Sequence, residues 1–264
     1  AVPAQVRAAL RRRGITVRED DGGSLPGPVT ALAGEEAVHR FYDAMQRYSF
    51  RLVLRDVIRH GGGEGAPVAP AQLTRHCGLA AAAGHLQQLH GLGLVRPADG
   101  GRYRPTFAAA SLGPTMEWYV GQVLSRELGF VVGTGLPLRG ADTGGDLDVV
   151  ALAEGLVLYV EVKSGPPKHL DVGHVEAFLD RVDALGPHGA IFFEDTELRM
   201  KDKVVLLFEE ALRKRGRIVR PRRLVRELFT LDRQVFIANA YPDVASSLGC
   251  CVAALLRRRG VLLR

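Results

Sequence analysis

Three features of this sequence predict an α/β fold, a mixed sheet flanked by helices on both faces, with a smaller helical domain ahead of it. The first is an apolar hairpin pattern over residues 147–163. The second is the alternation that follows, in which helix-periodic segments at 170–185, 197–213 and 243–259 separate the short apolar runs 189–193 and 234–240. Strands alternating with helices build a sheet covered on both sides. The third is composition. Of 264 residues 47% are hydrophobic and 24% charged, ordinary globular values that exclude a disordered chain and suffice for a sizeable core.

Residues 1–33 read as an N-terminal extension: a short basic helix over 5–13 closed by Gly14, a strand over 15–19, and a Gly/Pro loop over 20–28. Residues 34–110 read as a winged helix-turn-helix domain. A long helix is expected over 34–60, with Val38, Phe41, Met45, Phe50, Val53, Leu54 and Val57 along its buried stripe. Gly61-Gly62-Gly63 ends it, a short second helix follows over 70–77, and 80–89 stands where a recognition helix would. Val95-Arg96-Pro97, a turn at Asp99-Gly100-Gly101 and Arg102-Tyr103-Arg104 make the wing. Such a helix enters a major groove while the wing touches the backbone. Only His85, Gln87 and Gln88 of that helix could hydrogen-bond bases, so weak sequence readout is expected. Arg75, Arg96, Arg102 and Arg104 are the expected phosphate contacts.

Residues 111–264 form the third and largest domain. A helix over 114–124 carries Glu117, and a plain strand over 129–133 follows, with its turn at 136–138. Gly145-Asp146-Leu147-Asp148-Val149-Val150 opens the next strand, Glu154-Gly155 makes a tight turn, and the returning strand ends in Glu161-Val162-Lys163. Side chains two apart in a strand share a face, so Glu161 and Lys163 point one way while Val160 and Val162 point the other. Asp146 and Asp148 are paired by the same rule. Carboxylates and one ammonium thus gather on one side of a sheet whose other side is apolar. Carboxylate oxygens suit Mg²⁺, and a nearby lysine can orient or deprotonate an attacking water. The pattern predicts a metal-dependent phosphodiesterase. A Glu–Lys pair serving structure alone is the competing reading, although an unpaired charge on so apolar a strand is costly.

The order of Glu117 on a helix, a plain strand, Asp148, then Glu161-Val162-Lys163 resembles the PD-(D/E)xK nuclease superfamily over residues 114–245, particularly its Mrr-like and Holliday-junction-resolvase-like branches. The resemblance implies a restriction-endonuclease-like core. It implies that Asp148 and Glu161 bind Mg²⁺ or Mn²⁺, that Glu117 completes the shell directly or through water, and that Lys163 serves the nucleophilic water. No Pro precedes the Asp, and the following helix offers His174 and Glu176 where Mrr-like relatives often place Gln. The fourth active-site position therefore stays open.

The formal net charge is +6 and the pI about 9.5, with arginine far outnumbering the five lysines. Arginine favours bidentate phosphate contacts, although a GC-rich genome produces the same bias. Arg220, Arg222 and Arg223 stand in a basic connector over 215–227, where DNA backbone or solvent would satisfy them. Cys77, Cys250 and Cys251 have no ligand spacing and read as thiols of a reducing cytoplasm. No membrane span or signal peptide is visible. The expectation is a Mg²⁺-dependent DNA endonuclease acting on duplex or branched DNA, as a homodimer because two strands need two active sites. The alternatives are a catalytically inactive DNA-binding regulator, or a nuclease acting on RNA or in CRISPR-type defence.

Overall fold

The structure, a computed structural model, describes residues 2–18, 25–61, 65–139, 145–231 and 234–259. The chain divides into two compact units, Ala1–Ser24 with Val120–Arg264, and Leu25–Tyr119. In chain order the first unit opens with helix α1 (Ala4–Arg11) and the short strand β1 (Thr16–Val17).

The second unit holds α2 (Gly27–Thr30), α3 (Gly34–Met45), α4 (Tyr48–Gly61), α5 (Leu79–Gly91) and the antiparallel pair β2 (Val95–Ala98) and β3 (Arg102–Pro105). The helix expected over 34–60 is two helices, and Arg51 explains the break. Its side chain is buried and donates to the carbonyls of Met45 (2.6 Å) and Gln46 (3.2 Å), the last of which would otherwise continue the ladder. The guanidinium lies over the rings of Tyr48 and Tyr119, at 5.4 and 5.6 Å. The expected second helix is a single 3₁₀ turn, Pro70–Leu73. Helix α5 buries Ala82, His85, Leu86 and Leu89. His85 meets Ser49 at 3.0 Å and packs edge-on against Phe50, so it is a core residue and not a reader of bases.

Helix α6 (Gly113–Arg126) contains the boundary between the units. The remaining elements are β4 (Val131–Leu136), β5 (Leu138–Arg139), β6 (Leu147–Ala153), β7 (Leu156–Lys163), α7 (Val172–Leu185), β8 (Gly189–Glu194), α8 (Val204–Lys214), β9 (Arg222–Val225), β10 (Leu228–Leu231), β11 (Val235–Asn239) and α9 (Val244–Arg259). Seven of these strands form one mixed sheet in the order β4-β6-β7-β8-β11-β10-β9. Strands β7, β8 and β11 run parallel, and antiparallel strands complete the sheet on both sides. The mixed sheet flanked by helices is therefore present.

The sheet core that matters for the site lies on the face of Val150, Tyr159, Ala190, Phe192 and Ile237, under Val175, Phe178 and Leu179 of α7 and Phe208 of α8. Phe178 stacks on Tyr159 (5.8 Å) and meets Phe192 and Phe208 edge-on (5.4 and 5.9 Å). Two features went unread in the sequence. The N-terminal segment belongs to this unit: β1 pairs with β5, and Val6, Ala9 and Leu10 of α1 join the same core as Leu136 and Val150. The connector over 215–227 folds its end into β9, which pairs with β10.

Candidate active site

The site is built at the end of the β6–β7 hairpin. Glu154 (φ 48°) and Gly155 (φ 70°) make a two-residue turn with both central residues left-handed, the kind whose twist matches the flanking strands. It sets Ala153 opposite Leu156 and Val149 opposite Val160. Continuing that ladder brings Asp148 opposite Glu161 on one face. Tyr159, Glu161 and Lys163 share that face by the strand period.

Glu161 is 1% exposed and is held by three partners. Lys163 Nζ donates to its Oε1 at 2.6 Å. Arg181 Nη1, from α7, donates to Oε1 at 3.0 Å and Oε2 at 2.9 Å. The Tyr159 hydroxyl donates to Oε2. Asp148, half-buried, accepts the backbone N–H of Val162 at 2.7 Å through Oδ2. Burial, and then the charge of Glu161, push the Asp148 carboxyl up to about 7; the Val162 N–H, Lys163 and Arg181 oppose the shift. The Tyr159 hydroxyl is pushed well above its ordinary range by burial and by Glu161, so it stays protonated and donates.

Helix α7 aims Arg181. Its N-terminus is fixed by Asp171, whose Oδ1 accepts the His174 N–H at 3.1 Å while the His174 ring reaches back to the Asp171 N–H at 3.3 Å. His174 is thus part of a helix cap. Arg181 also lies against Gly145, where an added Cβ would meet Nη2 at 2.8 Å and where φ is 87°. The left-handed backbone there favours glycine.

Of the expected site residues, Asp148, Glu161 and Lys163 converge. Glu117 is half-buried in α6 and belongs to the other unit, Leu25–Tyr119. Asp146 is exposed. Arg75, Arg96, Arg102, Arg220, Arg222 and Arg223 are exposed; Arg104 is half-buried and donates to the Gly65 carbonyl at 3.1 Å. Gln87 is exposed and Gln88 half-buried. Arg223 pairs with Glu227 (3.4 Å) and covers the Phe229 ring (5.1 Å). Sequence reasoning missed Tyr159 and Arg181. Tyr159 lies two positions before Glu161, and Arg181 lies three beyond Phe178 on the buried stripe of α7, so both periodicities pointed at them.

The expected Mg²⁺ or Mn²⁺ centre does not fit this donor set. Both Glu161 oxygens already take hydrogen bonds, two cations face them, and among the described residues no three of His, Cys, Asp and Glu are grouped as a metal ion needs. The cofactor expectation is corrected accordingly.

No protein-family model and no curated protein matches the sequence. Among solved structures the chain is similar to protein VC1899 from Vibrio cholerae, at 12% identity and a TM-score of 0.50, over 80% of this chain and 56% of that one. It is also similar to Can2 from Sulfobacillus thermosulfidooxidans in complex with cyclic tetra-adenylate, at 13% identity and a TM-score of 0.51, over 97% of this chain and 62% of that one. The chain thus spans less than two thirds of the length of either. Identities this low speak for fold alone.

These findings correct the family expectation. The assignment to the Mrr-like and Holliday-junction-resolvase-like branch of the PD-(D/E)xK superfamily with an N-terminal winged helix gives way to likeness with these two structures. The buried His85 and the single turn in place of a second helix agree with that correction. The Mg²⁺-dependent DNA endonuclease reading falls with the family resemblance and the metal centre on which it rested. The expected homodimer rests on cutting two strands of a duplex and lapses too. No helix among the described residues is long and apolar enough to cross a membrane.

Proposed function

We propose that the protein is a nuclease acting on RNA, in defence of the CRISPR type, with Asp148, Glu161, Lys163 and Arg181 as its working groups. The observation that carries this is the buried Glu161 holding two cations beside a carboxyl whose proton is exchangeable near neutrality. The likeness to Can2, captured with cyclic tetra-adenylate, supports a ribonucleotide substrate class over DNA.

Asp148, half-exposed with its carboxyl near 7, takes the proton of an attacking 2′-hydroxyl. Glu161 touches no substrate in this scheme. It fixes Lys163 and Arg181 so that their positive charge faces the phosphate, where negative charge grows as the bond to the 5′-oxygen breaks. Preorganised cations of this kind are worth on the order of 10²–10³-fold in kcat each. The carboxyl ends of parallel strands β7 and β8, where Lys163 and Glu194 lie, are where open α/β sheets take their ligands. Exposed Arg220 and Arg222 supply contacts to RNA phosphates at a distance from the reacting bond.

The test is digestion of single-stranded RNA, structured RNA and duplex DNA, each with a chelator and with added Mg²⁺, by the wild type and by Asp148→Asn and Lys163→Met. RNA cleavage that persists in chelator and is lost in both variants is expected. Cleavage of DNA alone, or RNA cleavage that both variants retain, overturns the reading. An absolute need for added metal overturns the acid–base scheme and leaves RNA as the substrate.

A further inference from the structure

The edge of the sheet that carries Lys163 also presents an exposed aromatic ring with an arginine over it. Lys163, Glu194 and Asn239 are register partners across β7, β8 and β11, so these parallel strands end in line. Neighbouring strands lie about 4.8 Å apart, which sets Asn239 about 10 Å from Lys163 along that edge. Just past the end of β11 stands Tyr241, which is 47% exposed. β10 runs antiparallel to β11, so the two-residue turn between β9 and β10, Arg226-Glu227, falls at the same edge. The Arg226 guanidinium lies over the Tyr241 ring, 5.7 Å from its centre.

This surface is held in place from beneath. The Tyr241 N–H donates to the Asn239 side-chain oxygen at 3.2 Å, and the Tyr241 carbonyl accepts the Ser247 hydroxyl at 3.2 Å. The buried Asn239 amide donates in turn to the Leu198 carbonyl at 3.0 Å, tying in the loop after β8. Leu198 is itself 62% exposed. Glu227 accepts the Met200 N–H at 2.9 Å, which fixes the same loop to the Arg226 turn. Arg226 keeps a left-handed backbone, φ 49°, although it is not glycine. Such strain persists only where the surroundings over-determine it, and here it accompanies an arginine set over a ring.

An exposed aromatic ring beside a guanidinium is a platform for a nucleobase. Every base has a π-face to stack, and the cation meets the base or its phosphate. A base inside a duplex is already stacked on its neighbours, so such platforms take unpaired nucleotides.

We propose that Tyr241 and Arg226 form a stacking subsite for an unpaired base of the RNA, beside the bond that is cut. This rests on the nuclease reading above and gives it a preference, single-stranded over paired RNA. The base packs on the Tyr241 ring and Arg226 meets the adjoining phosphate. The strand then lies along the sheet edge, with the scissile phosphate at Lys163 and Arg181. Neither Tyr241 nor Arg226 touches the reacting atoms, so losing either raises KM more than it lowers kcat.

The test reads binding and needs no cleavage. Tyr241→Trp, in the full protein, puts an indole at the subsite, and the chain's own tryptophan, Trp118, is buried. The probe is a single-stranded 2′-O-methyl oligouridylate, which lacks the attacking hydroxyl. It should quench the introduced indole, with the wild type as blank. Tyr241→Ala should bind the same strand about 10-fold more weakly, while Tyr241→Phe matches the wild type. Arg226→Ala should weaken binding and reduce its dependence on salt. No quenching, or a Tyr241→Ala affinity equal to that of the wild type, overturns the proposal whether or not RNA is cut. Quenching by the paired strand as strong as by the single strand overturns it too. A protein that cuts no RNA yet shows the quenching sinks the nuclease reading and leaves the subsite standing.

Discussion

Glu161 shows how little room single residues leave in this site. It is buried and its charge is answered by Arg181 and Lys163, whose side chains are 14% and 24% exposed. Removing one member of a buried pair strands the other. Arg181→Met should therefore cost about 3–5 kcal/mol in urea unfolding as well as activity, whereas a surface arginine such as Arg222 should cost almost nothing. Acidity behaves less intuitively. Asp148 and Glu194 are both raised, to about 7 and about 8, so the folded protein retains protons that the unfolded chain releases above about pH 4. Their contribution to stability is full below that point and is lost as pH climbs through 7 and 8. Unfolding free energy should fall by a few kcal/mol across that window, and Glu194→Gln should flatten the fall. At this scale the sequence disclosed Asp148, Glu161 and Lys163 because strand period alone places them. It concealed Glu194, because an apolar run ending in Glu reads as a strand end. Arg181 went unread although the period of α7 places it three beyond Phe178.

Among the elements, the β6–β7 hairpin governs the site and was fully legible, since Glu154-Gly155 between apolar runs has one favoured geometry. A single residue inserted between Glu154 and Gly155 would slip the ladder and turn Tyr159, Glu161 and Lys163 toward the opposite face. Such an insertion should abolish activity, and loss of the Tyr159–Phe178 stacking would report it in near-ultraviolet dichroism. Helix α7 is the other governor. Asp171→Ala should remove about 1 kcal/mol of capping and loosen Arg181. What escaped reading here were short or interrupted elements. β9 is four residues rich in arginine, and the break between α3 and α4 depends on Arg51 reaching two carbonyls, a contact no periodicity announces.

The chain of the α/β sheet unit is discontinuous, and residues 25–119, which interrupt it in sequence, form the second unit. The alternation of strands and helices disclosed that sheet. The overall pattern also suggested a DNA enzyme with a metal centre, because acids and lysine on one strand face look alike whether the acids hold a cation or a neighbouring arginine does. Only the placement of Arg181 separates the two. The discontinuity carries a consequence for biosynthesis. Val6, Ala9 and Leu10 find their berth only against residues such as Leu136 and Val150, which leave the ribosome long afterwards. Until then the first helix is an orphan with an apolar stripe, a target for holdase chaperones, and closing so long a gap in sequence makes its docking a late event in maturation.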